Sequence, residues 1–374
     1  MSSVITPLVM PKWGLEMREG TIAGWLVEVG DRIKVGMPVL DVETDKISNA
    51  VEAPDAGLLR RKLAKDGDTL AVRALLGVLA EPEVSESEID AFIAGFTVPE
   101  SLIETESEAS SFTHIEVEGI RIRFAKRGPA HAEAVVLIHG FGGDLGNWLF
   151  NLDALAEHFQ VFALDLPAHG GSQVKLPGEN LSALSKFVTA WLDQVELPKV
   201  HLVGHSLGAA IAAQIAVDVP QRVQGICLIC PAGLGPEINA AYLEGFVQAE
   251  SRRELKPVVE QLFHDPSLVT RSLLEDLLKY KRMDGVAEAL QMLHQGLFDQ
   301  GMQAAQPIQG LSPAQHPTLI LWGKSDQIIS ADQAKLAPEG ATVKIFEGAG
   351  HMVMMEKASE INLLIKEHLG LGAP

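Results

Sequence analysis

The sequence predicts an α/β domain with a helical insertion, preceded by a small all-β domain. Residues 1–80 contain short β-branched runs that are interrupted by glycine every few residues, which is typical of short strands. After residue 112, apolar runs such as 134–138 and 200–203 alternate with helix-like segments, as in a parallel sheet covered on both faces. Between these patterns, residues 81–111 hold nine acidic residues and no basic one, which marks a domain boundary.

The composition limits the classes of function. The chain has 374 residues, a net charge of −19, 47% hydrophobic and 21% charged residues, which together describe a globular protein. The acidic balance argues against partners such as nucleic acid or an anionic membrane surface, which need clustered Lys and Arg. The sequence shows no signal peptide and no apolar run of the ~18–20 residues that a membrane span needs, so a cytoplasmic location is expected.

The charge is unevenly distributed along the chain. Residues 1–80 contribute −1, residues 81–111 contribute −9, and residues 112–374 contribute −9. We therefore predict a first domain over 1–80, an acidic flexible linker over 81–112, and a second domain over 113–374. Like charges favour an extended linker, in which four apolar residues are spaced for one short amphipathic turn: Ile89, Phe92, Ile93 and Phe96.

The first domain contains a faint internal repeat. Gly30-Asp31 is followed 37 residues later by Gly67-Asp68, which suggests two similar half-sheets in a flattened sandwich. Between the repeats, Thr44-Asp45-Lys46 interrupts an apolar run as a tight turn does, so Lys46 is predicted at an exposed hairpin tip. Spacing alone favours the interpretation of Lys46 as an ordinary solvated lysine in a turn.

The string Glu43-Thr44-Asp45-Lys46-Ile47 adds more specific information. Over about residues 4–79 the sequence resembles the lipoyl domains of 2-oxo-acid dehydrogenase acyltransferases. That resemblance implies lipoate attached as an amide to Lys46. Biotin carrier domains share this fold but have Met on both sides of the lysine, so Asp45 and Ile47 favour lipoate.

A candidate nucleophile follows a strand of the second domain. Residues 204–208 read Gly-His-Ser-Leu-Gly, the G-x-S-x-G pattern, between a buried strand and an Ala-rich helix. Such a turn exposes the Ser206 hydroxyl at a helix N-terminus, where negative charge is stabilised. Residues 139–143, His-Gly-Phe-Gly-Gly, form a second loop after a strand. The backbone N–H groups of Phe141 and Leu207 are predicted to form an oxyanion hole, and His139 is expected to hold this loop rather than act as a base.

Two further candidates complete a catalytic triad. Asp326 follows one predicted strand and His351 follows the next, so Ser206, Asp326 and His351 occur in the chain order nucleophile, acid, base. His351 would accept the Ser206 proton, while Asp326 would fix the His351 tautomer and stabilise the imidazolium. Each residue alone is equally consistent with a surface loop, but their common position at strand ends favours a hydrolytic or acyl-transfer site.

These motifs resemble the α/β-hydrolase fold over about residues 113–372. Residues 165–172 match a motif of that family except that Ala168 stands where glycine is usual. The interval of about 233–310 resembles the family's helical cap, in which Met283, Met292 and Leu293 either line the substrate site or belong to the core. Cys227 and Cys230 have redox-motif spacing but lie in a predicted buried strand, which favours a structural role, and no metal-ligand spacing is present.

The combination of the two domains resembles the acyltransferase component of acetoin dehydrogenase complexes. That resemblance implies an enzyme that passes acetyl from lipoyl-Lys46 to coenzyme A at the Ser206 site. It also implies a thiamine-diphosphate-dependent acetoin-cleaving enzyme and dihydrolipoamide dehydrogenase as partners, and it is compatible with a homo-oligomer. The residues leave two alternatives open: a hydrolase of esters, thioesters or carbon–carbon bonds with the lipoyl domain as a tether, and a non-catalytic second domain.

Overall fold

The computed structural model describes residues 5–13, 17–44, 48–97 and 112–371. The chain divides into two compact units, Met1–Ser111 and Phe112–Pro374, which are considered separately.

The first unit consists of antiparallel strands in two four-stranded sheets. Its strands are β1 (Ile5–Val9), β2 (Glu19–Trp25), β3 (Arg32–Ile33), β4 (Pro38–Glu43), β5 (Ser48–Glu52), β6 (Gly57–Lys62), β7 (Thr69–Ala71) and β8 (Leu75–Ala80). One sheet has the order β1-β8-β6-β3 and the other β5-β4-β2-β7. A single apolar core draws residues from both sheets, including Leu8, Leu40 and Leu59. The predicted flattened all-β sandwich is confirmed.

The internal repeat corresponds to two identical turns. The Asp31 carboxylate accepts the Glu28 N–H at 2.8 Å, and the Asp68 carboxylate accepts the Lys65 N–H at 2.8 Å. Each turn also places a glycine in the left-handed region, with φ of 100° at Gly30 and 86° at Gly67. A side chain is strained at such a φ, which explains why both copies of the repeat begin with glycine.

Strands β4 and β5 form a hairpin whose last pair is Glu43 with Ser48. Lys46 falls in the connection between these two residues and lies outside the described residues. Its position at a hairpin tip therefore stays a prediction.

The acidic segment differs from the expected extended linker in its first half. Residues Glu86–Gly95 form helix α1, with Ser85 and Glu88 in a capping box at its start. Ile89 is fully buried against Val78 and Ala80 of the first unit. Arg60 and Arg61 both contact the Glu86 carboxylate, so part of the acidic charge is paired instead of repelling. Residues 98–111 lie outside the described residues.

The second unit is built on an eight-stranded sheet. Its strands are β9 (Thr113–Val117), β10 (Ile120–Arg127), β11 (Ala134–Ile138), β12 (Gln160–Leu164), β13 (Val200–His205), β14 (Val223–Ile229), β17 (Thr318–Gly323) and β18 (Thr342–Phe346). Their order in the sheet is β18-β17-β14-β13-β11-β12-β10-β9. The six strands from β11 onward are mutually parallel, whereas β9 and β10 pair antiparallel. The central strands are buried on both faces, as their continuous apolar sequences predict.

Helices flank this sheet and fill the interval between β14 and β17. Those that accompany the sheet are α2 (Leu152–Ala156), α3 (Leu181–Gln194), α4 (Leu207–Asp218), α9 (Val353–Glu356) and α10 (Ala358–His368). The predicted cap interval holds α5 (Ala240–Gln248), α6 (Arg252–Val259), α7 (Arg271–Lys281) and α8 (Val286–Leu297), followed by a short hairpin of β15 (Phe298–Asp299) and β16 (Met302–Gln303). Within the described ranges, no helix combines the length and apolarity that a bilayer crossing needs.

Candidate active site

Ser206 occupies a sharp turn between β13 and α4. Its φ is 54°, a left-handed value that is strained for a residue with a side chain, and its N–H donates to the Ile229 carbonyl at 3.0 Å. The flanking glycines are required by close packing. A Cβ on Gly204 would lie 2.3 Å from the Gly208 carbonyl oxygen, and one on Gly208 would lie 2.0 Å from the Ile138 carbonyl oxygen. The turn around Ser206 therefore has the strained, glycine-flanked backbone that is typical of a nucleophile elbow.

Asp326 and His351 meet at the carboxyl ends of β17 and β18. The Asp326 Oδ2 atom lies 2.8 Å from His351 Nδ1, and both side chains are buried. Asp326 Oδ1 accepts the N–H groups of Ile328 and Ile329 at 2.8 and 3.0 Å, and Oδ2 also accepts Trp322 Nε1–H at 3.1 Å. These donors fix the carboxylate so that it faces the imidazole.

His205, which directly precedes Ser206 in the chain, contacts the Asp326–His351 pair. The His205 ring lies 4.7 Å from the His351 ring, centroid to centroid, and His205 Nε2 donates to the His351 carbonyl at 2.9 Å. No hydrogen bond joins the Ser206 hydroxyl to His351 among the residues that the structure describes. The structure thus pairs Asp326 with His351, while the Ser206–His351 contact stays a prediction, since such contacts often tighten only when substrate binds.

The loop after β11 lies directly against Ser206. A Cβ on Gly140 would lie 3.0 Å from Ser206 Cβ, so only glycine allows this approach without displacement. Within the described part of the chain, no acceptor receives the N–H of Phe141 or of Leu207. Two backbone donors beside Ser206 are thereby available to an oxyanion, and the N-terminus of α4 reinforces them.

Two buried histidines hold this loop in place. His139 Nδ1 donates to the Gly140 carbonyl at 2.8 Å, and its Nε2 accepts the Leu166 N–H at 3.0 Å. His169 Nε2 accepts the Gly142 N–H at 3.1 Å. Burial lowers the pKa of His139 to about 4 and that of His169 to about 3, so both rings are neutral at pH 7. Both therefore position the loop, as expected for His139, and the sequence reasoning did not identify His169.

The sequence reasoning also missed the support beneath the loop. Asp165 is fully buried, accepts the Leu145 and Gly171 N–H groups at 2.8 and 2.7 Å, and pairs with Arg123 at 2.5 Å. Burial raises the pKa of Asp165 to about 6. The family motif of residues 165–172 contains Asp165 and could have identified it. Its partner Arg123 lies on β10, outside that motif.

The backbone conformation at Ala168 explains why glycine is usual at this position of the motif. Ala168 adopts φ of 63°, which favours glycine, and its carbonyl accepts the Tyr280 hydroxyl of α7 at 2.9 Å. This hydrogen bond ties the cap interval to the sheet domain.

Aromatic residues from the cap interval reach the loop of residues 139–143. The Phe141 ring lies 6.2 Å from that of Phe246 and 6.4 Å from that of Phe298. Of the proposed cap-lining residues, Met283 and Met292 are 44% and 41% exposed, and Leu293 is fully buried in the core. Phe141, Phe246 and Phe298 therefore form an apolar cluster at the loop after β11.

Cys227 and Cys230 are free and fully buried, which agrees with structural roles. Burial raises the pKa of both thiols. The structure nevertheless brings Cys230 close to Asp326 and His351, a grouping that spacing along the chain did not indicate.

Comparisons with known proteins agree with both halves of this description. Residues 133–358 match the α/β hydrolase fold family, and residues 6–79 match the family of biotin-requiring enzymes, which includes lipoyl domains. The chain is 55% identical to the dihydrolipoyllysine-residue acetyltransferase component of the acetoin cleaving system of Cupriavidus necator, with 99% of both chains covered. The corresponding Pseudomonas putida protein is 48% identical over 96% of this chain and 97% of its own.

A solved structure shows the same fold for the second unit. The meta-cleavage product hydrolase of Pseudomonas fluorescens superimposes with a TM-score of 0.63 at 21% identity, covering 70% of this chain and 98% of that chain. At this identity the likeness concerns the fold alone.

Proposed function

This chain belongs to the family of dihydrolipoyllysine-residue acetyltransferase components of acetoin cleaving systems, and we propose that Ser206, His351 and Asp326 perform its acetyl transfer. The chain is an acetyltransferase with an α/β-hydrolase fold and a lipoyl domain. The observation that carries the proposal is the pair of backbone donors, Phe141 and Leu207, beside a strained Ser206 and a buried Asp326–His351 pair.

Lipoate is the cofactor of this family, and we propose Lys46 as its attachment point. Strands β4 and β5 pair as far as Glu43 and Ser48, so the segment with Lys46 connects two adjacent strands, as an attachment hairpin requires. When attached, lipoate would supply a dithiolane whose S–S bond opens on reductive acetylation, so that one sulfur holds acetyl as a thioester and the other becomes a thiol.

The residues of the second unit act on that thioester as substrate. The Ser206 oxygen attacks the acetyl carbonyl while His351 Nε2 accepts its proton. The Phe141 and Leu207 N–H groups hold the resulting oxyanion, and His351 returns the proton to the departing thiolate. The thiol of coenzyme A then attacks acetyl-Ser206, giving its proton to His351, and acetyl-coenzyme A leaves with Ser206 restored.

Water competes with coenzyme A for acetyl-Ser206. Phe141, whose N–H is one of the proposed oxyanion donors, belongs to an apolar cluster with Phe246 and Phe298. We infer that this cluster faces the acyl group and disfavours a bound water there. Hydrolysis of an ester, thioester or carbon–carbon bond is the alternative, because the fold and the triad serve both reactions equally.

As a component of an acetoin cleaving system, the chain works with other components. We propose that one is a thiamine-diphosphate-dependent enzyme that cleaves acetoin and loads the acetyl group. Dihydrolipoamide dehydrogenase is the second, since the dithiol left after transfer must be reoxidised. Two free cysteines are consistent with the reducing cytoplasm.

Two substitutions in the full chain separate the roles. Ser206→Ala is expected to reduce acetyl transfer to coenzyme A by about 10³-fold or more without changing the intact mass of the lipoylated form. Ser185→Ala is the matched control, because Ser185 is also buried but lies on α3. Lys46→Arg is expected to lose the lipoyl mass and the transfer while keeping hydrolysis of a small ester.

The products decide between the two reactions. Acetyl transfer that survives Ser206→Ala excludes the covalent route. Acetate that exceeds acetyl-coenzyme A at saturating coenzyme A supports the hydrolase instead.

A further inference from the structure

Three buried side chains with metal-binding atoms meet beside the active site. One ligand atom each from Cys230, Asp326 and His351 lies within 4.8 Å of the other two, and all three residues are buried. We call this group the Cys230 cluster. The described ranges contain no other such group of three His, Cys, Asp or Glu residues. Its members follow β14, β17 and β18, which are neighbours in the sheet although 121 positions separate the first from the last (351 minus 230).

The donor set suits a particular class of cation. Thiolate, imidazole and carboxylate together favour Zn²⁺ and its softer relative Cd²⁺ over Mg²⁺ or Ca²⁺. In a tetrahedral zinc site, bond lengths of ~2.0–2.3 Å separate neighbouring ligand atoms by about 3.3–3.6 Å. The distances from Cys230 Sγ to the other two ligand atoms therefore need to shorten by about 1.5 Å at most. Where His351 Nδ1 is the ligand, its 2.8 Å separation from Asp326 Oδ2 needs to lengthen by about 0.5 Å.

The surroundings already orient two of the three ligands. Ile328, Ile329 and Trp322 donate to the Asp326 carboxylate, and His205 Nε2 donates to the His351 carbonyl. Such outer contacts hold metal ligands in place and raise the affinity of a site. Cys230 Sγ lies 3.8 Å from the Gly350 carbonyl, a weak contact that a metal–sulfur bond readily replaces.

We propose that the Cys230 cluster binds a zinc-class divalent cation and that this binding switches off acetyl transfer. The inhibition, but not the binding, rests on the proposed role of His351. The thiol releases its proton as the metal–sulfur bond forms. If Nδ1 binds the ion, the proton that it donates to Asp326 moves to Nε2, which can then no longer accept the Ser206 proton. If Nε2 binds the ion, the base itself is occupied. Either mode stops Ser206 activation.

The test uses the full chain carrying Lys46→Arg, because a lipoyl dithiol would itself bind zinc. Hydrolysis of p-nitrophenyl acetate reports Ser206, and each variant is compared with its own metal-free activity. Cys230→Ser tests the cluster, and Cys227→Ser is the matched control, since Cys227 is equally buried three residues earlier on β14. The ultraviolet absorption of a Cd²⁺–thiolate bond measures binding independently of activity.

We expect Zn²⁺ to inhibit the parent and Cys227→Ser chains equally. In Cys230→Ser the half-inhibitory concentration should rise at least about 10-fold, since even the loss of an outer-shell partner costs a zinc site that much. The Cd²⁺ band should appear in the parent and in Cys227→Ser and be absent from Cys230→Ser.

Three results would overturn the proposal or one of its halves. A Cd²⁺ band or zinc inhibition that persists in Cys230→Ser, or a parent chain insensitive to zinc and without the band, refutes the site. A Cys230-dependent band without inhibition keeps the site but refutes the switch, while the proposed role of His351 is decided separately by the loss of ester hydrolysis in Asp326→Asn.

Discussion

The two units differ in what they bury. Among the described residues of the first unit, no polar or charged side chain is buried. The described residues of the second unit include eighteen buried polar or charged side chains. All twelve histidines of the chain also belong to the second unit. The first unit is held by apolar packing, while the second uses buried hydrogen bonds to place groups that react.

This contrast follows from where the chemistry takes place. A carrier unit needs a stable sandwich and one modified lysine, so its core can be entirely apolar. A catalytic unit must fix donors and acceptors away from water, which requires buried polar groups that are each hydrogen-bonded. Asp165, His139 and His169 are examples, since none is a proposed catalytic residue. His139 and His169 hold the 139–143 loop, and Asp165 holds Leu145 directly after it.

The largest predicted effect is that of Asp326→Asn. In this variant the one remaining side-chain oxygen stays with the Ile328 and Ile329 N–H groups, so the new amide NH₂ faces His351 Nδ1. His351 then carries its proton on Nε2 and cannot accept one from Ser206. We expect kcat to fall by about 10³–10⁴-fold.

Steady-state kinetics of ester hydrolysis and of acetyl transfer measure this effect. Lipoylation, read by intact mass, is the internal control in the same chain, because it concerns the first unit only. A loss below tenfold would contradict the role of Asp326.

The sequence predicted the parts of this site that are local. Ser206, Asp326 and His351 each sit in a glycine-containing turn after a strand, and such turns are readable within a few residues. Contacts between residues that are far apart in the sequence could not be predicted, because they depend on the order of the strands in the sheet. Arg123 meets Asp165 because β10 pairs with β12, and Cys230 meets His351 because β14, β17 and β18 are adjacent.

The acidic segment shows the same limit in the first unit. Its charge alone predicted repulsion and only one amphipathic turn. The helix is longer, Glu86–Gly95, because Ile89 is buried against Val78 and Ala80. Arg60 and Arg61, more than twenty residues earlier on β6, also pair with Glu86. Composition of a segment does not reveal partners that the fold brings to it.

The second prediction is that mild acid destabilises the second unit selectively. The pKa of His139 falls to about 4 and that of His169 to about 3 on folding, so between pH 6.5 and 4 the unfolded state binds more protons. Stability is therefore lost as pH falls, by about 2 kcal/mol per histidine between pH 6.5 and 5. The raised pKa of Asp165 acts in the opposite direction and offsets part of this loss.

The first unit has no histidine, and the pKa values of Glu81 and Glu86 are lowered by their arginine partners. Its stability from these groups is present at pH 5 and lost only below about 4.5, near the ordinary carboxyl range. Calorimetry at pH 7 and pH 5 should show the second unit's transition moving down by about 5 °C or more while the first unit's stays in place. Equal shifts would remove the proposed distinction.

The third prediction concerns how α1 is held. Ile89→Ala removes a fully buried side chain from the contact with Val78 and Ala80. The expected cost is about 2–4 kcal/mol, enough to release the helix from the sheet. Hydrogen exchange of residues 86–95 should increase strongly, with ester hydrolysis by the second unit unchanged. Ala91→Ser, at an exposed position of the same helix, should leave exchange nearly unaltered.

The smallest predicted effect is that of Glu86→Gln, which removes the contacts with Arg60 and Arg61. Glu86 is 57% exposed, so solvent and salt screen these ion pairs and the helix should stay docked. Exchange of residues 86–95 should rise slightly at low salt and match the parent chain at high salt. The effect of Ile89→Ala should persist at both, because apolar burial is not screened. Should Glu86→Gln release α1 as fully as Ile89→Ala does, charge would hold this helix, and the contrast between an apolar carrier and a polar enzyme would fail at its first unit.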